Sequence, residues 1–233
     1  MNIIDILILL IILLFGIVGF QRGFFKQTVI FVGELLVLVF AFLLKNPIGN
    51  WLCLKLPFFT IGGLFKGIQS INIFIYQLIA FIIVAAILSV ILSLLITLSG
   101  VVEKILKLTI ILGIPSKILG FIVGCVEGIV ICFIALFLLN QPLIDKPEYT
   151  NSGVAQFILN NMPGLSNGVK PTVNAISDIY ELTQNNSITS DEYNAKAIDI
   201  MLKYKVVEKK LIEELISKGK LSSEGLDVVL SNY

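Results

Sequence analysis

Four apolar runs of bilayer-crossing length limit this chain more than any other feature. Ile3 to Phe20 is interrupted only by Asp5, and its roughly eighteen residues cover about 27 Å at helical rise, close to the thickness of a hydrocarbon core. Thr28 to Leu44, Ile71 to Leu98 and about Lys117 to Leu139 repeat the pattern. In lipid each backbone polar group must be satisfied within its own segment, so all four runs predict spanning helices. The third run, if helical throughout, reaches about 42 Å and must tilt or protrude. With 57% hydrophobic residues, 14% charged residues and a mean hydropathy of +0.97, lipid has to cover most of the surface. A cleaved signal peptide would need a basic segment before the first run and a small-residue site after it. Here Asp5 leads and Arg22-Gly23 follows.

The connections are read from their punctuation. Gln21 to Lys26 is too short to do more than reverse the chain at one membrane face, so spans one and two form a helical hairpin. Lys45 to Lys66 holds Pro47, Trp51, Pro57, Gly62 and Gly63 among Leu and Phe, which predicts a loop hugging the interface. Ser99-Gly100 marks a break. Beyond it Glu103, Lys104 and Lys107 share one helical face opposite Val102, Ile105, Leu106 and Leu108, as in an amphipathic helix lying on the membrane. Gly113 and Pro115 stop that helix, and Ser116 can cap the next.

The character of the chain changes near Asn140, so residues 1–139 are expected to form a polytopic membrane domain and residues 140–233 a soluble helical tail domain. Charges before the boundary net +4 and those after it −3, with no dense basic face for nucleic acid. In the tail, Thr189 to Glu192 precedes Ala197, Ile198, Met201 and Leu202, and Val206, Val207, Leu211, Leu215 and Ile216 recur at helical spacing before Gly219. Leu226, Val228, Val229 and Leu230 either close this bundle or pair as a short extended segment. The tail is expected to fold by itself, although a core of this size leaves little net stability. Cys53, Cys125 and Cys132 form no CxxC pair, and Cys125 and Cys132 are expected to pack as small hydrophobes.

Among local motifs the most specific is Gly120-xxx-Gly124-xxx-Gly128 in span four, and Gly16, Gly19 and Gly23 give span one a similar face. Removing side chains from one helix face lets another backbone approach closely, either within the chain or across a homo-oligomer. Glu34 and Glu127 fall inside spans, where a carboxylate must pair, reach water or be protonated, so they are candidates for a proton or cation path or for interhelical hydrogen bonds. Asp5 is expected to reach the headgroups near the positive end of its helix. Arg22 and Lys26 are expected to act as interface anchors. The chain has no histidine and no Walker-type glycine loop, which removes His-based triads, most zinc sites and P-loop chemistry. No catalytic residue, metal or cofactor is expected, and Ser89 and Ser93 are read as interhelical hydrogen bonders.

On the positive-inside rule, Arg22, Lys26, Lys104, Lys107 and Lys117 on one set of connections weigh against Lys45, Lys55, Lys66 and Lys146 on the other. That places the hairpin turn in the cytoplasm and both termini outside it.

Asp5 opening span one, Gly19-Phe20-Gln21-Arg22-Gly23-Phe24 at the turn, and Leu119-Gly120 leading into Gly124 and Gly128 together resemble the bacterial colicin V production (CvpA) family over about Met1 to Leu139. Where that family often carries a basic residue before the last glycine, this chain has Glu127, and the polar pair ahead of the span is here Ser116-Lys117. The resemblance implies a bacterial cytoplasmic-membrane protein linked to colicin V production and toxin secretion, without accepted catalytic residues. Related chains append extracytoplasmic domains. The resulting expectation is a non-enzymatic scaffold or export-associated protein whose tail meets an unknown protein partner. The alternative is a small transporter or channel using Glu34 and Glu127.

Overall fold

A computed structural model describes residues 2–60, 62, 68–98, 101–139, 152–161, 163–183 and 189–233, with the side chains of 98, 101–112, 138 and 163–169 outside the description. Every regular element among the described residues is helical: α1 (Ile3–Arg22), α2 (Phe24–Lys55), α3 (Ile71–Leu98), α4 (Val101–Leu139), α5 (Gly153–Asn161), α6 (Pro163–Thr183), α7 (Ser190–Lys203), α8 (Lys209–Ser217) and α9 (Leu226–Ser231). Four segments are long and apolar enough to cross a membrane: Ile3–Arg22, Phe24–Lys55, Ile71–Thr97 and Gly113–Phe137. The protein is an all-α membrane protein.

The break between α1 and α2 is a single residue. Gly23, at φ 76 and ψ 165, takes a conformation that a side chain rarely tolerates, and its N–H still donates to the Gly19 carbonyl at 2.9 Å. At the other end of α2 the structure departs from the expected interfacial loop, because the helix continues through Pro47 to Lys55. The reason is a buried stripe at four-residue spacing, Ala41, Lys45, Gly49 and Cys53, which keeps one face of the helix covered. Gly49 is needed there, since a Cβ would fall 2.8 Å from the Gln77 Cα on α3. One proline removes one backbone bond, and tertiary packing of this extent outweighs it. Residues 61 and 63–67 of the expected loop lie outside the described residues.

The amphipathic segment is helical in its backbone, and Gly113, at φ 53 and ψ −129, kinks α4 between it and span four. The side chains of Glu103, Lys104 and Lys107, and the break at Ser99-Gly100, lie outside the described residues. Ser116 does not cap its own helix; its Oγ accepts from the Phe24 N–H at 3.2 Å.

The chain divides into two compact units: Met1–Phe40 with Ala85–Ser166, and Ala41–Val84 with Asn167–Tyr233. This division does not follow the boundary expected at Asn140. Each of α2 and α3 contributes one part to each unit, and α5 belongs to the first unit although it lies beyond Asn140.

In the second unit the tail helices share one core with the ends of α2 and α3. Cys53, Ile71, Ile73 and Tyr76 are buried in the same cluster as Ile179, Ile198, Met201, Ile212, Leu215 and Leu226. Polar bonds fasten the same surfaces: Asn194 Oδ1 accepts from the Ser70 N–H at 3.1 Å, and Gln77 Nε2 donates to the Val206 carbonyl at 3.2 Å. Lys220 Nζ donates to the carbonyls of Cys53 (2.7 Å) and Leu56 (2.6 Å), satisfying oxygens that the end of α2 leaves unpaired. Helix α7 begins with a capping box at the Thr189 to Glu192 segment that the sequence placed ahead of it. Thr189 Oγ1 accepts from the Glu192 N–H at 3.4 Å, and Glu192 Oε2 accepts from the Thr189 N–H at 3.1 Å. The last apolar patch is the helix α9, with Leu226 and Leu230 buried.

Candidate functional site

In the first unit α1 and α4 meet backbone to backbone, and the six glycines singled out in the sequence line this seam. A Cβ at Gly19 would overlap the Gly120 carbonyl oxygen and lie 3.1 Å from the Gly124 Cα. One at Gly120 would come within 2.9 Å of the Gly23 Cα, one at Gly124 within 3.1 Å of the Gly16 Cα, and one at Gly128 within 3.0 Å of the Ile12 Cα. As α4 advances from Gly120 to Gly128, its contacts on α1 retreat from Gly23 to Ile12, so the helices run antiparallel. Lipid tails are as apolar as leucine, and helices in a bilayer therefore gain little from burying leucine against leucine. Close approach of small residues maximises dispersion contact instead. Large side chains accordingly face outward: Leu7, Leu10, Leu14, Ile17 and Phe20 on α1 are exposed.

Polar groups gather where α2 leaves the turn. Gln27 is fully buried; its Oε1 accepts from Arg22 Nη1 at 3.2 Å and its Nε2 donates to Glu127 Oε2. Glu34, two turns further along α2, lies beside Glu127 within reach of a side-chain hydrogen bond, and the Arg22 charge acts on Glu127. The structure thus joins Arg22 to Glu127, with Glu34 beside it, through Gln27, a residue that sequence reasoning passed over and that bonds Arg22 and Glu127 directly. Its signal was a lone amide in the first turn of an apolar helix. Lys26, in the same turn, is half-buried.

Asp5 does not reach for headgroups. It is buried, and its Oδ1 accepts from the Ser152 hydroxyl and, at 3.1 Å, from the Val154 N–H, while its Oδ2 accepts from the Asn2 N–H at 2.9 Å. Ser152 caps α5 in turn, accepting from the Ala155 N–H at 3.0 Å. Ala155 and Ile158 then pack with Ile8, Cys132, Phe133 and Leu136. The start of span one therefore holds α5 against α1 and α4. Ser152 was the second missed residue, and a serine directly before a short amphipathic run is the usual trace of a helix cap.

All three cysteines are free, and among the described residues no group of acidic or cysteine side chains is placed to hold a metal ion.

Glycine seam, buried polar chain and clamped α5 belong to a polytopic helical membrane protein. The chain is a member of the colicin V production protein family, whose family model matches residues 4–163. That match extends past Leu139 and ends just beyond α5, so the clamped helix falls within the family's own region. Comparison with curated proteins and comparison with solved structures each found no match.

Proposed function

We propose that the chain is a non-enzymatic scaffold or export-associated component linked to toxin production or secretion. It would reside in the bacterial cytoplasmic membrane, with both termini outside the cytoplasm and the tail engaging a protein partner there. The observation that carries this reading is the α1–α4 seam. Helices that touch through Cα and carbonyl atoms cannot part without exposing backbone that only the partner helix covers, so the pair acts as a frame and not as a gate.

One observation favours the second reading, a small transporter or channel. Glu34 and Glu127 are adjacent inside the spans, and a pair of carboxyl groups can hand a proton from one to the other. Ion flux into proteoliposomes, measured with wild type, Glu34→Gln and Glu127→Gln, separates the two. A scaffold gives no flux above empty vesicles, and both variants support toxin release in cells as wild type does. Flux that Glu127→Gln abolishes would overturn the scaffold reading. Orientation is tested with Ser187→Cys in a chain whose three native cysteines are serine, probed in intact cells with a membrane-impermeant maleimide. Labelling only after lysis would put the tail in the cytoplasm.

A further inference from the structure

An apolar groove of about 370 Å³ opens on the outer side of the α1–α4 pair, lined by Ile17 and Phe20 on α1 and by Ile118 and Phe121 on α4. Gly16 leaves room for one of its walls: the Phe121 ring comes within 2.7 Å of where a Gly16 Cβ would be. Each wall is one helical turn long, and both walls face the side of the helices where large side chains meet lipid. At the rim stands Lys117, exposed, with its Nζ 5.8 Å from the centre of the Phe20 ring.

Two further cations belong to the same end of the pair. Ser116 accepts from the Phe24 N–H, which brings the start of α2 against the start of span four and sets Arg22 and Lys26 on the same membrane face as Lys117. Of the acidic side chains on α2 and the described part of span four, Glu127 is buried and engaged by Gln27, and Glu34 lies two turns along α2 beyond Gln27. A hydrocarbon slot with a cationic rim fits one occupant chemistry, an acyl chain joined to an anionic headgroup. We infer that the groove is a binding site for an anionic phospholipid. One acyl chain would lie along Ile17, Phe20, Ile118 and Phe121, and the headgroup phosphate would pair with Lys117.

The site is tested on the purified full-length chain in detergent by native mass spectrometry, titrating phosphatidylglycerol and phosphatidylcholine of the same acyl chains. Wild type is expected to retain phosphatidylglycerol in preference. Lys117→Gln should weaken phosphatidylglycerol about fivefold, the effect of removing one basic residue at a membrane surface, and leave phosphatidylcholine unchanged. Lys117→Arg should restore it, and Ile118→Trp, which fills the slot, should weaken both lipids. Equal retention of the two lipids, or no effect of Lys117→Gln, would overturn the proposal. So would inorganic phosphate protecting the chain from heating as well as phosphatidylglycerol does, since that would make the slot irrelevant. A lipid-free dimer that Ile118→Trp dissociates would give the groove to a second copy of the chain instead.

Discussion

The two compact units are built by opposite means. In the first, α1 and α4 are joined through residues that have almost no side chain, and the bulky residues point away from the contact. In the second, the tail helices are joined to the ends of α2 and α3 through large side chains, with Ile73, Tyr76, Ile198, Met201, Ile212 and Leu215 fully buried. The two kinds of packing answer to different physics. Water expels apolar surface, so packing large side chains inside is what a helical unit gains from wherever it meets water. A bilayer exerts no such pressure, and tight association has to come from backbone proximity. Helix α3 contains the change within itself: seven of the ten residues from Ile71 to Ala80 are buried, whereas most from Ile82 onward are half-exposed or exposed.

If this is right, the two units should fail under opposite substitutions. The largest effect is expected from adding volume to the seam. Gly120→Leu would drive a side chain into Gly19 and Gly23 backbone, which cannot swing aside, so the penalty should reach or exceed the upper end of the ~1–3 kcal/mol typical of overpacking. Size-exclusion chromatography in detergent should show loss of the monodisperse species. Gly153→Ala, where a Cβ would meet nothing within 4 Å, should elute as wild type. If Gly120→Leu were equally well behaved, the seam would not be what holds the first unit.

Next in size is removal of volume from the second unit. Ile212→Ala should destabilise it by about 2–5 kcal/mol, the range for emptying a packed core position. Hydrogen exchange in α7 and α8 reads this out, and exchange in α1 should not change. The same core bears on the tail alone. Residues 151–233 without Cys53, Ile71, Ile73 and Tyr76 lose part of the surface they pack on, so that fragment should be helical by circular dichroism but melt below the tail of the intact chain. Equal melting would mean that the tail folds as an independent domain.

The smallest effect is expected at the α5 clamp. Ser152→Ala removes a helix cap worth about 1 kcal/mol and the hydroxyl that Asp5 accepts from. Limited proteolysis should cut sooner near α5, with the spans unaffected. An unchanged cleavage pattern would mean that the apolar contacts of Ala155 and Ile158 hold α5 unaided.

How far the amino-acid order reaches can be followed residue by residue. The four spans, the break at Gly113, the start of α7 after Thr189 and the two glycine faces are all legible, because each is written within one or two helical turns or in the average polarity of a run. Composition chooses the solvent, and the solvent decides that an apolar stretch must satisfy its own backbone as a helix. Local chemistry cannot say which surfaces meet. Gly16 to Gly23 and Gly120 to Gly128 read equally well as faces for each other or for a second molecule, and only the folded chain pairs them within one molecule. Asp5 finding Ser152, Gln27 finding Glu127 and Lys220 finding the end of α2 join positions 100 or more residues apart, beyond the reach of any periodicity. The continuation of α2 to Lys55 has the same origin: Pro47 argues locally for an end, and the tail packed on Cys53 and its neighbours supplies the burial that overrides it.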